Sequence, residues 1–199
     1  MVFEFNIEEE VVDSFFWTDF FYNDYVVEIF GGLLLSAMGL FLIWFLRPKV
    51  KISPIIGLET NSKGEKEFVL KVINRSYLFQ LVDVHFELSR LKPMSTPKGM
   101  NLAIKKIPLK SEHIWFLSRR KFFSKQDSFA TYAIVLTIED YDLINEWKKH
   151  DGMFLDFKVI AKNNFSGITG IYHEKYNHFS CVKEGSFCHG NSMAIENGG

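Results

Sequence analysis

Cysteine is scarce in this chain of 199 residues: Cys181 and Cys188 are the only two, which excludes a disulfide-stapled scaffold. Lys and Arg are missing altogether from the first 46 residues, where eight carboxylates stand without a counter-charge. A secretory signal peptide opens on a basic segment and closes on a small-residue cleavage site. The acidic start and the run Trp44-Phe45-Leu46-Arg47-Pro48 offer neither. A second long apolar run is also absent, as are a Gly-rich phosphate loop, a paired-carboxylate motif and a Gly-x-Ser-x-Gly elbow. No catalytic residue, cofactor site or small-molecule substrate is therefore expected, and the chain does not read as an enzyme.

What is present is one run, residues 29–46, reading IFGGLLLSAMGLFLIWFL. As a helix it would span about 27 Å, close to the roughly 30 Å of a bilayer hydrocarbon core. Val26 and Val27 extend it past Glu28, so the expected transmembrane helix covers 26–46. Apolar on every side and flanked by opposite charges, it is poorly suited to the core of a soluble domain. All 23 Lys and Arg fall after the span, against 16 of the 24 Asp and Glu. Lys and Arg are retained on the cytoplasmic side, and Arg47, Lys49 and Lys51 follow the span directly. The expected topology is single-pass, with the N-terminus outside the cytoplasm and the C-terminal domain within it. Cytoplasmic cysteines stay reduced, and the acceptor patterns at Asn74 and Asn164 would go unglycosylated there.

Residues 1–25 form an acidic, aromatic-rich segment in which Phe16 and Phe20 share a helical face. Rings beside a span settle at the headgroup level. Within the span, Gly32, Ser36 and Gly39 make one small-residue stripe, which allows close helix–helix approach and points to self-association. With no ionisable residue after Glu28, the span carries no proton relay.

From Val50 the periodicity turns to β. A first strand around 50–56 is interrupted by Pro54, which marks an edge or bulge. A second runs over 68–74. The clearest alternation lies in 81–91, with Val82, Val84, Phe86 and Leu88 on one face and Asp83, His85, Glu87 and Ser89 on the other. Shorter strands are expected at 102–109, 114–117, 130–138, 154–161 and 168–176, with one helix over 140–149 whose early carboxylates and late Lys148-Lys149 suit its dipole. Residues 183–199 read as a flexible, Gly-rich tail. Seven or eight short strands predict a mainly β domain at 47–182: an immunoglobulin-like antiparallel β-sandwich, with a small barrel as the alternative.

The order of elements resembles the cytoplasmic immunoglobulin-like domain of inward-rectifier potassium channels. The similarity lies in Arg47-Pro48-Lys49 after the span, in strand 68–74 followed by Leu81-Val82-Asp83-Val84, and in the helix at 140–149 leading to Phe157, Ile160 and Thr169-Gly170. The resemblance implies a membrane-anchored sandwich whose basic post-span segment touches anionic lipid. It does not imply a channel, because this chain has neither a second span nor a carbonyl-lined filter loop.

Two functional classes follow. One is a membrane-anchored interaction or sensing module; the alternative is an oligomeric effector or pore-forming subunit assembled through its span. Candidate lipid contacts are Arg47, Lys49 and Lys51, with Arg119, Arg120 and Lys121 beside Phe122 and Phe123. Membrane lipid, together with self-association or a protein partner, is the expected company. Nucleic acid is not, because the basic residues lack interleaved stacking aromatics. His173, His178, Cys181, Cys188 and His189 are metal-ligand types, but their spacing does not make the paired pattern of a zinc site, so no metal is expected.

Overall fold

The computed structural model describes residues 24–121, 130–139, 142–150 and 152–196. The expectations placed on the 1–25 segment (the backbone of Asp24 and Tyr25 apart), on Phe122 and Phe123, and on residue 140 lie outside the described residues. The chain divides into two compact units, Met1–Phe45 and Leu46–Gly199.

The first unit holds α1, Asp24–Leu46, up to Phe45; its last residue, Leu46, belongs to the second unit. The stretch Val26–Leu46 is long and apolar enough to cross a membrane, and every side chain from Val27 to Trp44 is exposed. The helix stops at Leu46 because Arg47 precedes a proline, whose ring disfavours helical backbone in the residue before it.

The second unit is mainly β. Its strands are β1 Val50–Ile52, β2 Ile56–Thr60, β3 Lys66–Asn74, β4 Leu81–Thr96, β5 Gly99–Ile107, β6 His113–Leu117, β7 Ala133–Thr137, β8 Phe154–Asn163, β9 Thr169–Tyr176, β10 Val182–Glu184, β11 Ser186–Phe187 and β12 Ile195–Glu196. A short helix, α2 Leu143–Lys149, precedes β8. One five-stranded sheet runs β1-β3-β2-β10 with β7 also on β3; the other runs β5-β4-β8-β9 with β6 also on β4.

In each sheet the central strand meets one continuous neighbour along one edge and two short collinear segments along the other. On β3, β7 takes one edge, while β1 and β2 divide the other at Ser53-Pro54-Ile55. On β4, β8 takes one edge, while β5 and β6 divide the other around Pro108. A proline cannot donate to the ladder, so both breaks fall where the sequence demands them. At the second break the chain leaves its sheet: Leu109 bridges Ile138 and Lys110 N–H donates to Thr137 at 2.9 Å. The inward faces share one core, with Leu70 and Val72 of β3, Phe86 and Leu88 of β4, and Phe157 and Val159 of β8 all at 2 % exposure or less. Tyr176, fully buried, closes it by donating its hydroxyl to Ser53 O at 2.6 Å.

Four expectations need correction. The alternation of β4 holds from Val84 to Leu88 but not before it: Leu81 is buried and Val82 only half-buried. A bulge between Val82 and His85 shifts the register against β8, and Asp83 takes a positive φ of 51°, so the inward parity changes there. The helix begins at Leu143 rather than 140, with the Asp142 carboxylate accepting the Asn145 N–H at 3.1 Å as its N-cap. The expected tail is folded at least as far as residue 196, and the sheets are not wholly antiparallel, because β10 pairs β2 in parallel and β11–β12 form a hairpin beyond it. Gly185 makes that path possible: its φ is 120°, and a Cβ there would lie 2.3 Å from the Glu196 carbonyl oxygen.

This C-terminal segment explains why β3 is buried on both faces from Phe68 onward. Lys71, on the face away from the core, is only 2 % exposed. Its ammonium donates to the carbonyls of Cys188 and Ser192 and lies 5.9 Å from the Phe187 ring centroid. Burial pushes the Lys71 pKa below the usual lysine range. The folded protein therefore binds fewer protons than the unfolded chain between that lowered pKa and about 10.4, and stability rises with pH across the window. Lys71→Met should lose this rise: the difference in urea midpoint between wild type and variant is expected to shift toward the wild type between pH 7 and pH 10. A difference that does not change with pH would count against the buried charge.

Candidate functional site

The basic residues singled out from the sequence gather, with one exception, at the end of the second unit where Leu46 enters it. The Leu46 carbonyl has no helical partner, and it accepts from Asn163 Nδ2 at 2.7 Å and from Ser166 Oγ at 3.1 Å. Asn163 also shapes its own turn. Its Oδ1 accepts the N–H groups of Phe165 at 2.8 Å and Ser166 at 3.2 Å, an Asx arrangement that leaves Phe165 at the tip. Asn163 itself is 1 % exposed and Phe165 is 74 % exposed.

A second turn lies alongside. Asn74, fully buried, directs Nδ2 at the carbonyls of Phe79, Leu117 and Ser118 and accepts the Ser76 N–H on Oδ1. Ser76 Oγ in turn accepts from Phe79 N–H at 3.0 Å. The two turns are joined by a stack of Phe79 on Phe165 (centroids 5.6 Å apart, planes at 21°) and by the Asn164 N–H donating to Gln80 O at 3.2 Å. Leu78, between them, stays exposed.

Backbone bonds bring the basic segments to this same turn. Arg75 N–H donates to Lys49 O at 2.7 Å, and Arg120 N–H to Ser76 O at 2.8 Å. Arg47 and Lys49 are exposed beside a buried Pro48, whose carbonyl accepts the Tyr172 hydroxyl. Arg119 and Lys121 are exposed and, with Leu78, Gln80 and Asn164, line one shallow groove. Arg120 behaves differently from its neighbours: it is half-buried, with its guanidinium 4.9 Å over the Tyr77 ring, so it braces the turn rather than reaching out. Lys51 is exposed but lies within β1, opposite Ile73.

The result is a surface of two exposed apolar tips, Leu78 and Phe165, set among cationic side chains. The sequence reading missed both tips. An isolated apolar residue in a turn carries no periodicity, and only the sequence Asn163-Asn164-Phe165-Ser166-Gly167, with its turn-forming residues around one aromatic, hinted at the second.

The small-residue stripe sits on α1, where Gly32, Ser36 and Gly39 are exposed. Ser36 Oγ donates to Gly32 O at 2.9 Å, so its hydroxyl is satisfied within the helix, and a Cβ at either glycine would meet nothing within 4 Å. The C-terminal His and Cys residues are dispersed. His173 contacts Asp156 at 3.2 Å, His178 Nδ1 accepts the Ser180 N–H at 3.2 Å, and Cys188 Sγ meets Glu196 at 3.2 Å. Among the described residues, the metal-ligand types that do converge are Asp83, His85 and His113. Asn74 lies in a glycosylation pattern, yet its buried and fully engaged amide is closed to such chemistry. A larger concavity, lined by residues of the 61–67 turn with Lys110 and Ile144, is occupied by pairs such as Lys110–Glu67 at 2.8 Å.

The chain matches no protein-family model and no curated sequence.

Proposed function

We propose that this protein is a single-pass membrane protein whose C-terminal β domain sits in the cytoplasm, against the anionic inner leaflet, and acts there as an interaction or sensing module. One observation carries the reading. Leu46, the last residue of the apolar helix α1, is held by the same turn that presents Phe165. If the helix spans the bilayer, chain connectivity puts that turn at the membrane surface, where an apolar tip enters the headgroup region and its cationic neighbours meet acidic lipid. Each Lys or Arg so placed contributes about 1 kcal/mol toward an anionic surface.

Orientation rests on charge: Lys and Arg are excluded from the first 46 residues and begin at Arg47. The finer description of the domain as an immunoglobulin-like sandwich, and with it the resemblance to the inward-rectifier cytoplasmic domain, is supported by two sheets that share one core and by short strands with turns between them.

The test uses the full chain in nanodiscs. Backbone amides of 78–80 and 163–166 are expected to exchange more slowly with acidic phospholipid than with zwitterionic lipid alone. Arg119→Glu combined with Lys121→Glu should erase that difference. Equal exchange in both lipids would overturn the lipid contact. Release of the protein from membranes by alkaline carbonate would overturn the span itself.

A further inference from the structure

We propose that Asp83, His85 and His113 form a binding site for a divalent transition-metal ion on the outer face of the sheet built on β4. His85 and His113 are direct cross-strand partners on β4 and β6. Their Nε2 atoms both point at one oxygen, Asp83 Oδ1, at 2.9 Å and 3.0 Å. All three ligand atoms lie within 4.8 Å of one another. An ion held at about 2.0–2.2 Å from imidazole nitrogen and carboxylate oxygen needs three such atoms around one point, and a small side-chain adjustment that opens the two Asp83–histidine hydrogen bonds makes room for it.

The backbone around Asp83 is the second observation. It sits at the β4 bulge with φ of 51°, a left-handed conformation that Asp tolerates better than most residues but that still costs on the order of 1 kcal/mol. As a plain surface hydrogen-bond hub the cluster would return little, since exposed ion pairs contribute about 0–1 kcal/mol, and the Asp83 and His85 side chains are 57 % and 52 % exposed. The bulge does, however, aim the carboxylate back at the histidine pair. His113, the least exposed of the three at 28 %, is oriented by the edge of Trp115, with ring centroids 4.9 Å apart and planes at 82°.

The donor set favours zinc and the neighbouring first-row ions over calcium or magnesium, which prefer all-oxygen shells. Without the ion a proton on each Nε2 bridges to Asp83 Oδ1; on binding, each neutral imidazole takes the tautomer with its proton on Nδ1, which frees the Nε2 lone pair for the ion, while the carboxylate supplies one negative charge. Three protein ligands on an exposed face leave a coordination position for water. The bound ion would tie β6 to β4 across the bulge.

The experiment takes the full chain in detergent, stripped of metal with a chelator, and titrates Zn²⁺ in competition with a chromophoric chelator. Co²⁺ in place of Zn²⁺ supplies a visible absorption band from the occupied site. One ion per chain is expected. His85→Gln, His113→Gln and Asp83→Asn should each weaken binding by at least about tenfold, since losing even an outer-shell partner costs 10–100-fold. His173→Gln, on the same sheet but paired with Asp156, should leave affinity unchanged. Quenching of tryptophan fluorescence by Co²⁺ should fall sharply in Trp115→Phe. All of these substitutions sit on exposed or half-exposed side chains, and thermal melts confirm that each variant is folded. No binding by the wild type, or binding that survives the three ligand substitutions together, would overturn the site.

Discussion

Asn74→Ala is expected to lower the stability of the β domain by about 3 kcal/mol, since each buried polar group left without a partner costs about 1–3 kcal/mol. The amide has no exposed surface, and its Nδ2 serves the carbonyls of Phe79, Leu117 and Ser118 at 3.1, 3.3 and 2.9 Å while Oδ1 holds the Ser76 N–H at 2.9 Å. Alanine removes the donor to three carbonyls and the acceptor of one N–H in a place water does not readily reach. At about 2–4 °C per kcal/mol for a chain of this size, the melting temperature should fall by roughly 6–12 °C. Asn74→Asp sharpens the test. It retains the acceptor for Ser76 but sets a carboxylate against three carbonyl oxygens, so at neutral pH it should be no better than alanine and should recover as the carboxylate is protonated. A melting temperature within 2 °C of wild type for Asn74→Ala would mean that the turn is held by other bonds. Because the same turn carries Leu78 and Phe79, loss of Asn74 should also loosen the surface that bears Leu78 and Phe165 before the whole domain unfolds.

Phe157→Ala should lower stability by about 3–5 kcal/mol, the usual cost of a phenyl-sized hole in a core. Phe157 is fully buried and lies nearly parallel to Phe86, with centroids 6.4 Å apart and planes at 12°. It therefore joins the two long strands of its sheet at their common core face. Phe157→Leu keeps most of the volume and should cost about 1.5 kcal/mol or less, as volume-conserving swaps do. The informative comparison is Phe165→Ala: the same substitution at a ring that is 74 % exposed should shift the urea midpoint little while altering lipid contact. If Phe157→Ala and Phe165→Ala proved equally mild, the core described for this sheet would be wrong.

These residues also show what was legible beforehand. The alternation around Phe86 and Leu88 gave away an inward face because a strand repeats every two residues, and Pro54 announced the break between β1 and β2 because it lacks an N–H. The bulge at Asp83 left no such mark, since neither Gly nor Pro stands there and the parity change depends on β8. Lys71 between Leu70 and Val72 reads as a solvent-facing lysine. Nothing local to β3 says that a segment more than a hundred residues later will cover it. The same limit applies to the site. Arg47, Lys49, Arg119 and Lys121 were recognisable by type, but their assembly at Leu46 depends on two asparagine side chains that also bond backbone atoms far away in sequence, Asn74 at Leu117 and Ser118 and Asn163 at Leu46. Asp83 and His85 were placed on one face by periodicity, and His113 joined them only through strand pairing.

The parallel pairing of β10 with β2 has a bearing on how the protein is made. β2 is synthesised early and acquires its second neighbour only when β10, Val182–Glu184, follows every other long strand from the ribosome. Until then Ile56, Gly57 and Leu58 present an open, apolar edge of the kind that recruits foreign strands. Pairing with β10 closes that edge, so a chain cut short before Val182 would keep it open for good.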